Sequence, residues 1–363
     1  LITSITDPNN NTYTFEYDEI GKLTKIIDPQ GNETTRIYNL NRLLESVTDA
    51  LGHVTTYSYD PANQLVSETA ADGGVINYSY SNIGKLESLT DPNGNTTNYS
   101  YDGIGRLLSE VDPLSHTTQY QYDKVHNLIQ KINANNQTIA YEYDELNRLI
   151  TKTTPEQSYV FTYDNLGRLV NAINASSNLS FGYDSLGQLL NASVIPSDSE
   201  GSYTLSYAYD ASGRQITLSD PIGTTNYSYD SNDRLVGLTD PYNNNFTMNY
   251  DAGGRRIGMS GPNGLTKTYS YDSLNRLTEL LNKINGVEIS PFSYEYDVVG
   301  SKTKKTDIHG IDEYFYDAND RLLSSSLNAE DFTYDLLGNI TEKDGINQTF
   351  STLNQFLSSA NST

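Results

Sequence analysis

The sequence predicts an all-β repeat array: about 17 β-hairpins of ~21 residues, side by side in one continuous antiparallel sheet that coils. Three observations carry this. A Tyr-Asp pair recurs at Tyr17, Tyr59, Tyr101, Tyr122, Tyr143, Tyr163, Tyr183, Tyr209, Tyr229, Tyr250, Tyr271, Tyr296, Tyr316 and Tyr334. Tyr38-Asn39 and Tyr80-Ser81 fill the gaps, so the step is 21 residues from Tyr17 to Tyr143. Later it is 20 or 21, except for 26 before Tyr209, 25 before Tyr296 and 18 before Tyr334. The second observation is an aromatic-polar-aromatic alternation before each pair, as in Tyr99-Ser100-Tyr101. The third is a turn signal at two places in every tile.

Each element of the tile has its reason. Alternation with period two puts the aromatic rings on one face of a first strand. Asp102 can accept hydrogen bonds from backbone N–H groups ahead of it, and Gly105 supplies a positive φ, so Tyr-Asp opens a tight turn. A second strand follows in "RLLSEV", and Leu107 recurs as Leu23, Leu65, Leu86, Leu128 and Leu149. A second turn closes the tile, with Asp28-Pro-Gln-Gly31 and Asp91-Pro-Asn-Gly94 reading as type I. One hairpin cannot bury its aromatic face alone, and stacked tiles are expected to set tyrosine beside tyrosine across strands. About 35 strands at ~4.8 Å make a strip on the order of 165 Å, or a ring ~50 Å across if it closes once. A weak seventeenth tile starts at Phe350.

Composition agrees. The 363 residues are 36% hydrophobic, include 30 Tyr and lack Cys and Trp. No linker or change of composition divides them, so residues 1–363 are read as a single array without a separate effector or catalytic domain. A net charge of −23 argues against nucleic acid, which needs a basic footprint. No apolar run is long enough to span a membrane as a helix. There is no signal peptide, although a chain starting at Leu1 is open to an earlier leader.

No catalytic, cofactor or metal residue is expected. His53, His116, His126 and His309 fall at different phases of the tile, and no hydrolase, zinc or P-loop string occurs. Asp91, Asn93 and Asn95 mimic the start of a calcium loop, but Thr96 and Asp102 replace the required Gly and Glu, and a type I turn explains them. Diffuse divalent-cation binding to the acidic surface and glycan stacking on the tyrosines are the remaining ligand expectations. Asn-x-Ser/Thr sequons make Asn10, Asn32, Asn77, Asn95, Asn98, Asn136, Asn174, Asn178, Asn191, Asn226, Asn245, Asn339, Asn347 and Asn361 candidate N-glycosylation sites.

The strings "YDxxGRL" (Tyr101 to Leu107, Tyr163 to Leu169) and "DPxGNxTxYxY" (Asp91 to Tyr101) resemble the Rhs/YD-repeat family, over essentially the whole chain. The resemblance implies a hairpin strip spiralling into a hollow shell, as in toxin carriers, wall-associated surface proteins and teneurins. Toxin-type members self-cleave at an Asp-Pro-x-Gly-Leu motif. Here the nearest string is Gly261-Pro-Asn-Gly-Leu265, with Gly in place of Asp, so no self-cleavage site is expected, nor an effector after it.

Both termini read as second strands without a capping element. Open edge strands template pairing with other chains. The expected function is therefore a non-enzymatic, extracellular or cell-surface scaffold, adhesion element or fibre that self-associates through its repeat ends. The alternative is a shell segment of a toxin-delivery protein, with the remaining regions of a longer shell as partner.

Overall fold

The computed structural model describes residues 1–197, 201–327 and 329–361. Thirty-five strands, from Ser4–Thr6 to Phe356–Asn361, form one antiparallel meander in which each strand pairs with the next. Among the described residues there is no α-helix, only a 3-10 turn at Pro262–Gly264. The first and last strands pair on one side only.

The tile has the expected form. In the strand Thr96–Tyr101, Tyr99 and Tyr101 are half-buried while Asn98 and Ser100 are exposed. The Asp102 carbonyl accepts the Gly105 N–H at 3.0 Å, the Asp102 N–H donates to the Arg106 carbonyl at 2.9 Å, and Gly105 has φ +85°. The turn after Asp91 closes identically, with Gly94 at φ +85°. Both are type I turns followed by a left-handed residue, a form that suits hairpins. The two edges of the strip thus carry the same turn.

The hairpins differ in register. Across the Tyr-Asp turn, Tyr99 faces Glu110 and Ser100 faces Ser109, but Tyr101 faces Leu107, leaving Leu108 as an extra residue. The same shift recurs in the other tiles, for example at Tyr17, Tyr163 and Tyr316. The pairing across the Asp91 turn runs without a shift. A bulge bends its strand and increases local twist. The bulge at the tyrosine recurs in tile after tile, joined by a second shift at Asn282–Lys283 in one of them, and so curls the strip in one direction.

The strip does not close into a single ring. Asn9 meets Asp251, Gln30 meets Arg276, Asp72 meets Arg321 and Asn93 meets Asp335, pairs 242 to 249 residues apart. The turn at Asp7 precedes the first Tyr-Asp turn and meets the twelfth, at Asp251; the next second turn, at Asp28, meets the thirteenth, at Asp272. One coil is therefore 23 strands, or about 12 hairpins. At ~4.8 Å per strand its circumference is about 110 Å and its diameter ~35 Å. The strip takes the spiral form, lapping over its own start, and does not close once into the ~50 Å ring that the whole strip would make.

The wall is one sheet thick. The accessible surface is 21209 Å², against about 14,500 Å² for a compact protein of this mass. Met248 is the sole buried hydrophobic residue among those described. A tyrosine-on-tyrosine ladder does not form either. Tyr99 faces Glu110, Tyr120 faces Lys131 and Tyr227 faces Leu238, because successive aromatic strands are separated by a second strand. That spacing of ~9.6 Å exceeds the 4.5–7 Å range of ring pairs. Phe350 with Phe356 is the one ring pair among the described residues.

Candidate interaction site at the turn edges and the lap

The tyrosines act as cross-tile pins. Tyr59 donates its hydroxyl to the Leu44 carbonyl at 2.9 Å, Tyr143 to Leu128 at 2.9 Å and Tyr250 to Leu235 at 2.7 Å. Tyr17, Tyr163, Tyr183, Tyr209, Tyr229, Tyr271, Tyr296, Tyr316 and Tyr334 do the same to a preceding strand or chain segment. Tyr101 and Tyr122 keep the position without that bond. Burial raises the phenols of Tyr59, Tyr143 and Tyr296 above their ordinary value.

The aspartate after each tyrosine closes its turn with its side chain as well. Asp102 Oδ1 accepts the N–H groups of Ile104 at 3.0 Å and Arg106 at 2.9 Å, and Oδ2 accepts Arg106 Nε at 2.7 Å. The Arg106 backbone bond foremost holds this carboxyl below its ordinary value.

Arg106 opens the second strand, and it does more than that. Its Nη1 donates to the Asp123 carbonyl in the next Tyr-Asp turn at 3.1 Å, and its guanidinium lies 4.9 Å over the Tyr122 ring. Arg148, Arg168, Arg214, Arg234, Arg255, Arg276 and Arg321 repeat both contacts. The planar fork makes this double use natural. The recurrence of "R" four residues after Tyr-Asp is the signal that could have revealed it. Lys22, Leu43, Gln64 and Lys85 hold the place in the first four tiles.

Where the coils lap, second turns of the early tiles sit against Tyr-Asp turns of the late ones. Asn9 Oδ1 accepts the Gly253 N–H at 3.1 Å, and a side chain on Gly253 would collide with Asn9. Arg276 Nη2 donates to Gln30 Oε1 at 3.1 Å. Arg321 Nη2 reaches Asp72 Oδ2 at 3.1 Å, the Asp72 N–H meets Asn319 Oδ1 at 3.3 Å, and Asn93 Nδ2 meets Asp335 Oδ2 at 2.9 Å. A cleft of about 460 Å³ lies along the lap between Tyr13, Asp28, Asp49, Arg276, Val299 and Asp320. Desolvation, then the charge of Asp49, pushes the Asp320 carboxyl up.

The other candidates occupy turns. His53 Nδ1 lies 3.2 Å from Asp49, His116 Nδ1 lies 2.9 Å from Asp112, and His126 Nδ1 lies 3.2 Å from Arg106. The His309 N–H is bound by Asp307. Asp91 Oδ1 accepts the N–H groups of Asn93 and Asn95, so the calcium-like string is a closed turn. Gly261-Pro-Asn-Gly-Leu265 holds a second-turn place, with Gly261 N–H on the Leu265 carbonyl at 2.9 Å, but its inner turn is 3-10, with Asn263 and Gly264 both at positive φ.

The sequons divide. Asn10, Asn77, Asn98, Asn136, Asn191, Asn226, Asn245 and Asn347 are exposed. Asn32, Asn95 and Asn339 are half-buried, each donating to the turn aspartate four residues earlier. Asn174 and Asn178 are half-buried too, Asn174 accepting the N–H groups of Ser176 and Ser177. The Asn361 side chain lies outside the described residues.

Known proteins share this design. The model of the teneurin YD-shell matches residues 38–202, and the model of the RHS repeat matches 1–34, 209–244 and 250–288. No curated protein matches in a direct search. Among solved structures, the Tc holotoxin pore of Photorhabdus luminescens superposes with a TM-score of 0.82 at 18% identity, over 96% of this chain and 22% of that one. The crystal structure of TcdB2-TccC3 gives 0.82 at 18% identity, over 97% and 23%. The chain thus spans under a quarter of the length of the toxin chains it matches. Repeat, turn chemistry and coil agree with the two matching family models: the chain belongs to the Rhs/YD-repeat family.

Proposed function

We propose that this chain is a length of shell wall, a non-enzymatic strip that encloses space together with further repeats of a longer assembly outside the cell. The observation that carries this is the lap of about 12 hairpins, because a strip that turns back on its own edge makes a wall around a lumen. The toxin chains it resembles are several times longer, which supports a role as one segment. The teneurin and toxin likenesses favour an extracellular or secreted setting. A non-enzymatic role fits because the Asp–Arg clusters recur in tile after tile, each closing a turn, whereas catalysis needs a unique constellation.

A fibre or adhesive scaffold built from the strand ends has less behind it, since the strip spends its length coiling instead of extending. Diffuse cation binding, glycan stacking and glycosylation stay attached to this reading as secondary properties; the exposed sequons are where sugars would fit. The test is electron microscopy of the purified chain. Curved particles on the order of 40 Å from wall to wall, enclosing a narrower lumen, are expected from the strand spacing. Solid, straight ribbons without a lumen would overturn the shell.

A further inference from the structure

The Tyr-Asp edge is covered in one part of the chain and bare in another. In the lap, the third residue of the turn is Gly253, Leu274, Val299, Asn319 or Leu337; the leucines and valine are half-buried, and Leu274 and Val299 share a cleft with Tyr13, Ile26 and Asp28 of the early coil. In the first coil the same position carries Ile104, Val125, Leu146, Leu166 and Leu186, exposed by 65%, 60%, 72%, 74% and 83%. An apolar row of this kind at one fixed position of a repeat is the pattern of a contact surface. Its backbone frame is the same as in the lap: Leu146 and Leu274 both donate their N–H to the turn aspartate at 2.9 Å.

The complementary surface is on the same chain. The second-turn edge meets a coil at Asn9, Gln30, Asp72 and Asn93. Further on, its tips Leu114, Ile222 and Tyr242 are exposed by 47%, 68% and 73%. We propose that the bare Tyr-Asp edge between Asp18 and Arg234 seats the bare second-turn edge of another copy of this chain. The contact continues the internal lap, coil on coil. It is head-to-tail, because two different edges meet, and each copy keeps one edge free after pairing. The inference rests on the shell reading only for the coil geometry.

Sedimentation velocity on the full chain tests it, with two double variants at exposed tips. One is Leu146→Asp with Leu166→Asp; the other is Ile222→Asp with Tyr242→Asp. The unmodified chain should associate as its concentration rises, and each variant should weaken association at least tenfold while keeping its circular dichroism spectrum. Mixed together, the two variants should form dimers and nothing larger, since each retains the edge the other has lost. A chain that stays monomeric at hundreds of micromolar overturns the proposal, as do variants that associate like the unmodified chain. A lumen seen in monomeric particles would leave the shell reading standing and end this one.

Discussion

Leu146 and Leu274 occupy the same place in the same turn, yet one is 72% exposed and the other is half-buried. The single-coil stretch and the lapped stretch are built from one tile with one set of hydrogen bonds. What separates them is only whether another coil lies alongside. Local structure in this protein is therefore set within about twenty residues, while the environment of an edge residue is set a full coil away. Four comparisons can break or sharpen that contrast.

The largest difference is expected for the turn aspartates. Asp317→Ala removes the acceptor of two N–H groups and the anchor of Arg321, which in turn holds Asp72 across the lap. A loss of about 2–3 kcal/mol is expected, the scale of charged hydrogen bonds. Hydrogen exchange should rise both at residues 317–321 and at 70–74. Asp144→Ala removes the same turn bonds in the single coil, so exchange should rise there and in the adjoining tile alone. Equal spread in the two variants would mean that the lap carries no coupling.

The leucines come next. Leu274→Asp should cost about 1–2 kcal/mol by placing a charge where apolar surface is partly covered, and Leu146→Asp should stay within ~0.5 kcal/mol. Thermal melting of the two variants side by side decides it. By contrast, Tyr143→Phe and Tyr296→Phe should behave alike, each losing about 1 kcal/mol with its hydroxyl-to-carbonyl bond. Unequal losses there would show that the tile itself, and not just its edge, differs between the regions.

The smallest effect is in acid. Asp102, Asp144 and Asp164 are held below the ordinary 3.8, foremost by a backbone N–H from the residue four ahead. Their stabilisation is present above pH 3.8 and is lost as pH falls through their lower folded values, in the single-coil stretch. Asp320, in the lap, is shifted the other way by desolvation and by Asp49. Its charge opposes folding at neutral pH, and that opposition is relieved as pH falls through its raised folded value. Asp320→Asn should therefore melt slightly higher than the parent at pH 7, with the gain shrinking as the pH approaches 4. A gain that persists in acid would remove Asp320 as a charged element of the lap. The residue sits at φ +58°, which asparagine tolerates well, so the substitution adds no backbone strain.

Much of the fold was legible because its signals are local. Strand alternation, Asx turns and positive-φ glycines act over two to five residues, and the repeat states them many times. The aromatic position was legible too, but its partner was misread: tyrosine against tyrosine fails because a non-aromatic strand intervenes. The arginine strap was visible as a recurring letter, yet its acceptor is a carbonyl 16 or 17 residues on in most tiles. The lap was not legible at all. Asn9, Gln30, Asp72 and Asn93 look like any turn residue, and their partners stand 242 to 249 positions away.

By itself the sequence determined the tile, its two turns, the strand order and the single continuous sheet of the array. Each of these follows from contacts between neighbours along the chain. Only the tertiary structure decided that about 12 hairpins make a coil and which turns face each other across it. The reason is accumulation: each bulge adds a small rotation that no short stretch encodes as a number, and the position of the lap is the sum of them all.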